Sequence, residues 1–346
     1  MQTLEPMPDA GGVLASSSNN DDGAILNEWG ERQMTNSVTT VLTPALYILV
    51  FIIGFPANAL AIWFMAGNIK KPSTICQINL AVADLLLILV LPFKIHYHIQ
   101  GNNWIFGEAL CRTVTALFYG NMYCSVLLLT FISIDRYCAL VHPFYSRRFR
   151  GNRFAVSTCA AIWVLVGLFV LPLFLVQQSF KISLTSITNI TTCHDVYLEN
   201  MQSVYFYYWQ AVVIIGFIIP ALITIVCYSF VIRMLLLNKR EYRKAKVVTV
   251  LTLLIYLVCF GPSNVILFLH QWIPKLYIHY MITVPICSFN SCIDPFIYYF
   301  ISDELRNKIK KMIGIQKVVT RFRNSQTTST WLSRMISSKR SPTNSS

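Results

Sequence analysis

Seven long runs of mostly apolar residues constrain this chain more than any other feature of its sequence. A helix of about 20 apolar residues spans the hydrocarbon core of a bilayer. Inside lipid each span must satisfy its own backbone hydrogen bonds, which makes helices the default. We therefore predict an all-α membrane protein, a bundle of seven transmembrane helices. The runs lie near residues 41–66, 74–97, 108–141, 153–176, 204–236, 244–271 and 278–301.

The composition of the chain agrees with a membrane protein. Of its 346 residues, 55% are hydrophobic and only 12% are charged, whereas a soluble globular protein carries roughly 25% charge. Several runs contain proline, which membrane helices tolerate because neighbouring groups satisfy the freed carbonyls. The composition therefore opposes a soluble fold.

The distribution of charge predicts the orientation of the bundle. The net charge is +13, and most of the 28 basic residues lie in the connections after spans one, three and five and in the tail. Basic loops stay in the cytoplasm, so the N-terminus is expected outside. Before the first span there are six acidic residues and a single basic one, Arg32. Topology and attraction to anionic lipid account for the basic charge, and we expect no binding of nucleic acid.

The same patterns divide the chain into four parts. Residues 1–40 are predicted to be a disordered extracellular segment, and residues 41–301 form the seven-helix domain. Residues 302–314 mix basic and apolar side chains, as expected of an amphipathic helix that lies on the inner leaflet. Residues 315–346 are predicted to be a disordered cytoplasmic tail.

Two of the ten cysteines differ from the rest in position. Eight lie in or at the ends of spans, where cysteine is usually a small buried apolar residue. Cys111 lies at the outer end of span three, and Cys193 lies in the loop between spans four and five. Because both face the oxidising side of the membrane, we predict a disulfide between them. Asn189 begins a glycosylation sequon in the same loop.

Polar residues inside the spans mark candidate sites, because ionisable groups are costly in a membrane. Asp84 in span two and Asp294 in span seven should lie at mid-depth, near Asn121 and Ser125 of span three. Carboxylates with amide and hydroxyl oxygens suit a sodium ion or protons. A water network that holds the helices together is the alternative. No structural metal site and no cofactor are predicted.

Read in order, these residues resemble the rhodopsin-like G protein-coupled receptors. The resemblance covers all seven spans, roughly residues 41–314. The motifs that carry it are GFPAN, NLAVADLL, DRY, CFGPSN and NSCIDPFIYY, each on its expected span. It implies a plasma-membrane receptor and not an enzyme.

A narrower resemblance is to the protease-activated, or thrombin-type, receptors. It is carried in the outer half by HIQGNNWIFGEALC, FYGNMYCS and ITTCHDV. RFRGNR and KKPST look most like the fourth member of that family, and the third member is close. Such receptors are cut by an extracellular serine protease, and the new N-terminus then acts as a tethered agonist. An intramolecular ligand of this kind acts at high effective concentration.

Other functions fit this sequence less well. Residues 278–301 contain no lysine to hold retinal, and neither transporter repeats nor a channel filter is evident. Cleavage after Arg32 would expose Gln33, Met34 and Thr35, which do not resemble the expected tethered ligand. A receptor for a soluble peptide or lipid that has lost protease activation therefore remains the alternative.

The second outer loop is predicted to contact the agonist. A peptide with a cationic N-terminus would be drawn to a carboxylate at the mouth of the bundle. His194 and Asp195 are predicted to make this contact, and the alternative is that they only brace the loop. Tyr97, Tyr277 and Tyr280 are predicted to line the same mouth.

The inner end of span three carries Asp135, Arg136 and Tyr137, the DRY motif. On charge alone, Asp135 and Arg136 could be a pair at the membrane interface. The receptor resemblance implies that Arg136 contacts a helix of the heterotrimeric G protein, while Asp135 holds it at rest. Arginine suits this role because a cation can meet the carbonyls at a helix C-terminus.

Residues on spans five, six and seven are predicted to support this opening. Tyr228 and Tyr298 would turn inward beside Arg136. Phe260 next to Pro262 is the predicted pivot, since proline frees a carbonyl and permits a bend. Pro295 belongs to the corresponding motif of span seven.

The tail is the predicted site of contact with arrestin and a receptor kinase. Its serine and threonine residues are candidate phosphorylation sites, and a merely solvated tail is the alternative. They include Thr327, Thr328, Ser329 and Ser337.

Overall fold

A computed structural model describes most of the seven-span region and parts of the N-terminal segment. The predicted amphipathic helix and the tail lie almost wholly outside the described residues, as do residues 238–242 of the basic connection after span five. The structure describes residues 13–17, 24–26, 28–68, 72–143, 151–183, 189–198, 202–237, 243–270, 272–273, 276–301, 306–307 and 314.

Long helices follow the predicted spans closely, which confirms the predicted all-α bundle. Among the described residues, six helical stretches are long and apolar enough to cross a membrane. The first of these stretches begins with a short helix, α1 (Glu28–Met34). Four of the long helices are single elements apart from short irregular turns at their ends: α2 (Thr43–Met65), α3 (Pro72–Ile99), α4 (Glu108–Val141) and α5 (Asn152–Leu175).

Span five contains a wide turn. Helix α6 (Gln202–Val213) passes through a π-helical turn (Ile214–Ile218) into α7 (Ile219–Leu237). Pro220 lacks the N–H that would bond the carbonyl of Gly216, and the wide turn accommodates this loss. Gly216 also packs closely on Tyr123. A Cβ added at Gly216 would lie only 2.7 Å from the tyrosine ring. The span therefore approaches α4 closely at this level.

Span six is one helix and span seven is two. Helix α8 (Arg243–His270) is followed by α9 (Tyr277–Ser288) and α10 (Asn290–Ile301). The single run predicted at residues 278–301 breaks at Phe289. The Phe289 amide donates to the Ile286 carbonyl at 3.1 Å, and the Cys292 amide donates to the Phe289 carbonyl at 2.9 Å. These short-range bonds tighten the chain between the two helices.

Helix α4 lies at the centre of the bundle, where it packs against α3, α5, α7 and α8. The outer faces of the helices are apolar and exposed: Ile52 is 62% exposed and Trp63 is 79% exposed. Asp84 and Asn58, by contrast, are fully buried. Apolar residues outside and polar residues inside are the arrangement expected of helices surrounded by lipid.

A five-stranded sheet lies at the end of the bundle where α4 begins, which we call the sheet-covered end. Its strand order is β4-β3-β2-β1-β5. Strands β1 and β2 come from the N-terminal segment and are inserted between strands of the loop that joins α5 to α6. The strands are β1 (Val13–Ser17), β2 (Ala24–Leu26), β3 (Ser179–Ser183), β4 (Asn189–Cys193) and β5 (Val196–Leu198).

The N-terminal segment differs from the predicted disordered residues 1–40 wherever the structure describes it. Besides the two strands, α1 packs onto the bundle through Met34, which is fully buried with Ile182, Tyr277 and Met281. The Met34 carbonyl also accepts hydrogen bonds from the side chains of Thr39 and Asn102. The acidic composition of the segment does not indicate these few apolar contacts, because their partners lie in the loop and in span seven, far away in the sequence.

Candidate functional site

The predicted disulfide is present. Cys111 in the first turn of α4 is bonded to Cys193 at the end of β4, with their Cα atoms 5.8 Å apart. The bond ties the loop to the centre of the bundle and fixes the residues that follow Cys193. Asn189 is exposed at the start of β4, and its glycosylation stays a prediction.

Glu108 provides a second attachment for this loop, which sequence reasoning missed. Its carboxylate accepts from the backbone amides of Gln178 and Ser179, each at 2.8 Å. It also accepts from the Ser179 hydroxyl and forms an ion pair with Arg112. Charge-assisted bonds of this kind are stronger than neutral ones, so both ends of the β3–β4 hairpin are held by α4.

A small cavity lies beneath the loop. Four of the five residues predicted to bind agonist line it, and the fifth, Tyr97, bonds to one of them. Sequence reasoning missed most of the other lining residues. The lining consists of Tyr47, Lys94, His98, Phe118, Tyr119, His194, Asp195, Trp209, Leu267, His270, Tyr277, Tyr280, Met281 and Val284.

Asp195 brings a carboxylate to this cavity. Its Oδ2 accepts a hydrogen bond from the Tyr97 hydroxyl at 2.6 Å, and the residue is half-buried. Burial raises the pKa of Asp195, while Lys94 and the Tyr97 hydroxyl oppose the rise by favouring the charged form. The carboxylate is therefore positioned by α3 although it belongs to the loop.

His194 links the loop to the helices through a chain of hydrogen bonds. Its Nδ1 lies 2.7 Å from Gln178 Oε1, and its Nε2 lies 3.2 Å from the Tyr119 hydroxyl, which in turn bonds to the Tyr280 hydroxyl. Burial and the nearby Lys94 lower the pKa of His194 to about 3. A neutral ring donates from Nδ1 to Gln178 and accepts at Nε2 from Tyr119. The chain thus joins the loop, α4 and α9.

Lys94 is the residue that the sequence reasoning should have found. A lysine inside an apolar span is as informative as an aspartate there, and Lys94 lies within α3. Its Nζ stands 4.5 Å from the centroid of the Phe118 ring. The cavity therefore holds a cation and a carboxylate.

Deeper in the bundle, Asp84 is the centre of a buried polar cluster. Its Oδ1 accepts from Ser291 Oγ at 2.8 Å and from Asn121 Nδ2 at 3.2 Å. Ser291 lies just after the break in span seven, so the break turns it toward Asp84. Asn58 donates to the Ser291 carbonyl at 2.7 Å. Spans one, two, three and seven therefore meet at this cluster.

The other two predicted members of this site are buried but less closely joined. Asp294 Oδ2 accepts from Asn290 at 3.4 Å, and Ser125 is fully buried. Among the described residues, Asp84 Oδ2, Asp294 Oδ1 and Ser125 Oγ have no hydrogen-bond partner. In this part of the chain no three His, Cys, Asp or Glu side chains group as metal ligands.

At the opposite end of the bundle, the structure brings Arg136 and Tyr228 together. Arg136 is half-buried, and its guanidinium carbon lies 6.0 Å from the centroid of the buried Tyr228 ring. Tyr137 points elsewhere, with its hydroxyl 3.1 Å from His142 Nε2. Asp135 is half-buried beside them. Tyr298 lies on α10, and its side chain is outside the described residues.

The predicted pivot residues differ in their surroundings. Phe260 is fully buried against Tyr256, with ring centroids 5.6 Å apart, whereas Pro262 is exposed. Asn264 Nδ2 donates to the Phe260 carbonyl at 2.9 Å, and side-chain bonds to helix carbonyls favour local bending. Pro295 is buried in α10.

Comparisons with known proteins identify the family to which the chain belongs. Residues 57–298 match the family described as 7 transmembrane receptor (rhodopsin family). The chain is 43% identical over 280 residues to human proteinase-activated receptor 3, covering 78% of this chain and 74% of that protein. It is 39% identical over 310 residues to human proteinase-activated receptor 2, covering 85% and 77%. Its identity to proteinase-activated receptor 1 of Xenopus laevis is 38% over 299 residues, covering 83% and 70%.

Proposed function

Because the chain belongs to the rhodopsin family of seven-transmembrane receptors, and within it to the proteinase-activated receptors, we propose how its two ends cooperate in signalling. The protein is a multi-pass plasma-membrane receptor of the protease-activated type that couples to a G protein, and it is not an enzyme. In our proposal an agonist binds the cavity at the sheet-covered end, and the opposite end then opens. The observation that carries this is the cavity beneath the disulfide-tied loop, with Asp195 in its lining.

The sheet-covered end faces the outside of the cell in this proposal. Support comes from the disulfide and the exposed sequon at that end, since disulfides persist in oxidising compartments. The basic connections after spans one, three and five favour the cytoplasm for the other end. The N-terminus is then extracellular.

A peptide with a free N-terminus is the proposed agonist. Its ammonium group would pair with the Asp195 carboxylate, which Tyr97 and the disulfide hold in the cavity. His194 supports the same surface through Gln178 and Tyr119. An agonist activates only through its preference for the open state. Movement of the Tyr119–Tyr280 contact is the proposed first step, because both residues line the cavity and bond to each other.

Proteolysis would supply such an N-terminus within the chain itself. Arg32 is the only basic residue before span one, and it is exposed in the last turn of α1. Cleavage there would leave Gln33 next to Met34, which is anchored on Tyr277 and Met281. The alternative, activation by a soluble peptide or lipid, draws support from this same anchoring, because a fixed Met34 limits the reach of a new N-terminus.

A panel of serine proteases and free peptides tests the proposal. Cells that express the chain should activate G protein when treated with a trypsin-like protease, and peptide amides with a free α-amino group should do the same. N-acetylated versions of these peptides should be at least tenfold weaker, because they lack the cation. Arg32→Gln is the control for the cleavage site. If only peptides act, the soluble-ligand alternative is favoured; silence in every arm would refute the proposal.

The buried cluster around Asp84 is proposed to hold a sodium ion or a proton-bearing water cluster in the inactive state. Asp84, Asn121, Ser125 and Asp294 would surround it, using the carboxylate and hydroxyl oxygens that lack partners among the described residues. Two close buried carboxylates otherwise force one of them to bind a proton. The ion would stabilise the closed bundle.

Raising sodium should therefore weaken agonist binding. We expect a shift in agonist affinity of about fivefold or more, within the usual range of allosteric coupling, and its loss in Asp84→Asn. Choline chloride at equal ionic strength is the control. An unchanged affinity across the sodium titration would leave only the proton-bearing water cluster or a structural role.

The remaining partners are proposed from the sequence. Residues 302–314 would lie on anionic lipid of the inner leaflet, and phosphorylation of Thr327, Thr328, Ser329 or Ser337 by a receptor kinase would attract arrestin. These positions lie outside the described residues, apart from residues 306–307 and 314.

A further inference from the structure

Lys94 lines the cavity beneath the loop, and its ammonium group faces an aromatic ring. Its Nζ lies 4.5 Å from the centroid of the Phe118 ring, and the side chain is half-buried. An ammonium group has three N–H donors and no acceptor. The ring attracts the charge but offers no lone pair. Within the part of the chain that the structure describes, no oxygen accepts a hydrogen bond from Lys94.

Asp195 is the nearby opposite charge, but it does not satisfy Lys94. No salt bridge joins these two described residues, and Asp195 Oδ2 instead accepts from the Tyr97 hydroxyl at 2.6 Å. The two charges still attract each other, since Lys94 favours the charged form of Asp195. Lys94 is the only lysine or arginine among the described residues that line the cavity. These two charges therefore offset each other in the cavity.

Binding of a cationic ligand would disturb this balance. An agonist ammonium at Asp195 neutralises that carboxylate and leaves Lys94 without a counter-charge in a site from which the ligand has expelled water. An unpaired charge out of water costs several kcal/mol, whereas a paired and hydrogen-bonded one costs far less. A ligand that brings its own oxygen acceptor removes this cost. The cavity therefore favours a ligand with two polar groups of opposite character.

We infer that Lys94 is a second anchor of the agonist and binds an oxygen of the peptide near its N-terminus. The inference rests on the proposed binding of a peptide N-terminus at Asp195. Two sources of this oxygen share the same chemistry: an acidic side chain and a main-chain carbonyl. Lysine suits both because its ammonium is a compact charge with three rotatable donors.

Paired peptides distinguish these two sources. The probes are a positional library of hexapeptide amides with a free α-amino group, in pairs that differ only in Glu against Gln at one of the first three positions. A second set replaces the first peptide bond of the most potent member by a trans-alkene, which lacks the carbonyl oxygen and adds no charge. G-protein activation is measured at matched surface expression for the wild type, Lys94→Met and Lys94→Arg. Lys181→Met is the control, because Lys181 is an exposed lysine on β3 outside the cavity.

One member of a pair should be more potent on the wild type. Hydrogen bonds to charged groups predict a factor of about 10 to 100. If Lys94 binds a carboxylate, the Glu peptide is more potent than the Gln peptide. If it binds a carbonyl, the alkene peptide is less potent than its parent. Lys94→Met should reduce either ratio to below about threefold, whereas Lys94→Arg and Lys181→Met should keep it. A lysine that only positions the loop would lower all potencies together and leave the ratios unchanged.

Several results overturn the inference. Equal potency within both kinds of pair on the wild type overturns it without any variant. A potency ratio that persists in Lys94→Met also overturns it. Lys94→Gln serves in the same comparison if the methionine variant does not reach the surface. If the potency of the peptides depends on Asp195 but not on Lys94, only this inference fails. If no peptide activates, or none depends on Asp195, the proposed function fails with it.

Discussion

Replacing Arg136 by alanine is expected to reduce G-protein activation by about tenfold or more, with agonist binding retained. Hydrogen bonds from a charged donor contribute about 1.5–3 kcal/mol, and 1.4 kcal/mol corresponds to a factor of ten. Arg136 is half-buried against the ring of Tyr228, so it is held near the end of the bundle that must open to the G protein. Its guanidinium would meet the carbonyls at the C-terminus of an incoming G-protein helix. The measurement is nucleotide exchange on the G protein.

Two further variants separate charge from packing at this end. Arg136→Lys keeps the cation but loses the planar fork, so an intermediate response is expected. Arg233→Ala removes an exposed arginine of α7 and serves as the matched control. Unimpaired signalling by Arg136→Ala at matched surface levels would mean that the proposed role of this end of the bundle is wrong.

Asp195→Asn is the second change with a large expected effect, a loss of agonist potency of about tenfold or more. Asparagine keeps an oxygen that can accept from Tyr97, so the loop should keep its conformation while the negative charge disappears. The lost ion pair is partly buried, and such pairs contribute more than exposed ones. Potency is read from dose–response curves for a peptide amide with a free α-amino group.

The N-acetylated peptide provides the control for this prediction. It lacks the ammonium, so Asp195→Asn should change its potency little, and the two losses should not add. Glu28→Gln, an exposed acid on α1, should leave both peptides unaffected. Additive losses would indicate that Asp195 only braces the loop, which is the alternative kept open by the sequence.

Two hydrogen-bonded contacts link the helices, one at the cavity and one deeper in the bundle. Tyr119 and Tyr280 join α4 to α9 through their hydroxyls, and Asp84 joins α3 to α10 through Ser291. The break at Phe289 lies between these two contacts along span seven. A shift of α9 at the cavity would therefore reach the Asp84 cluster through the short segment that joins α9 to α10.

The sequence by itself determined the number of membrane spans and their approximate positions, because the thickness of a bilayer sets the length of each apolar run. It also determined which cysteines pair. Cys111 and Cys193, which are bonded, are set apart by lying at or beyond the ends of the spans on the side predicted to face the oxidising compartment. Asp84 stood out for a similar reason, since a charge in lipid is costly and rarely accidental. Arg136 stood out through the receptor resemblance, because on charge alone it could form an interfacial pair with Asp135. These inferences need only the solvent and the order of residues along the chain.

Only the tertiary structure decided which side chains share a site. A span surrounded by lipid is apolar on most of its faces, so its pattern does not show that Lys94 faces the cavity or that Ser291 faces Asp84. The burial of Met34 likewise depends on contacts with Tyr277 and Met281, which are far away in the sequence. Such contacts arise when the packed helices bring distant segments together, and no local periodicity encodes them.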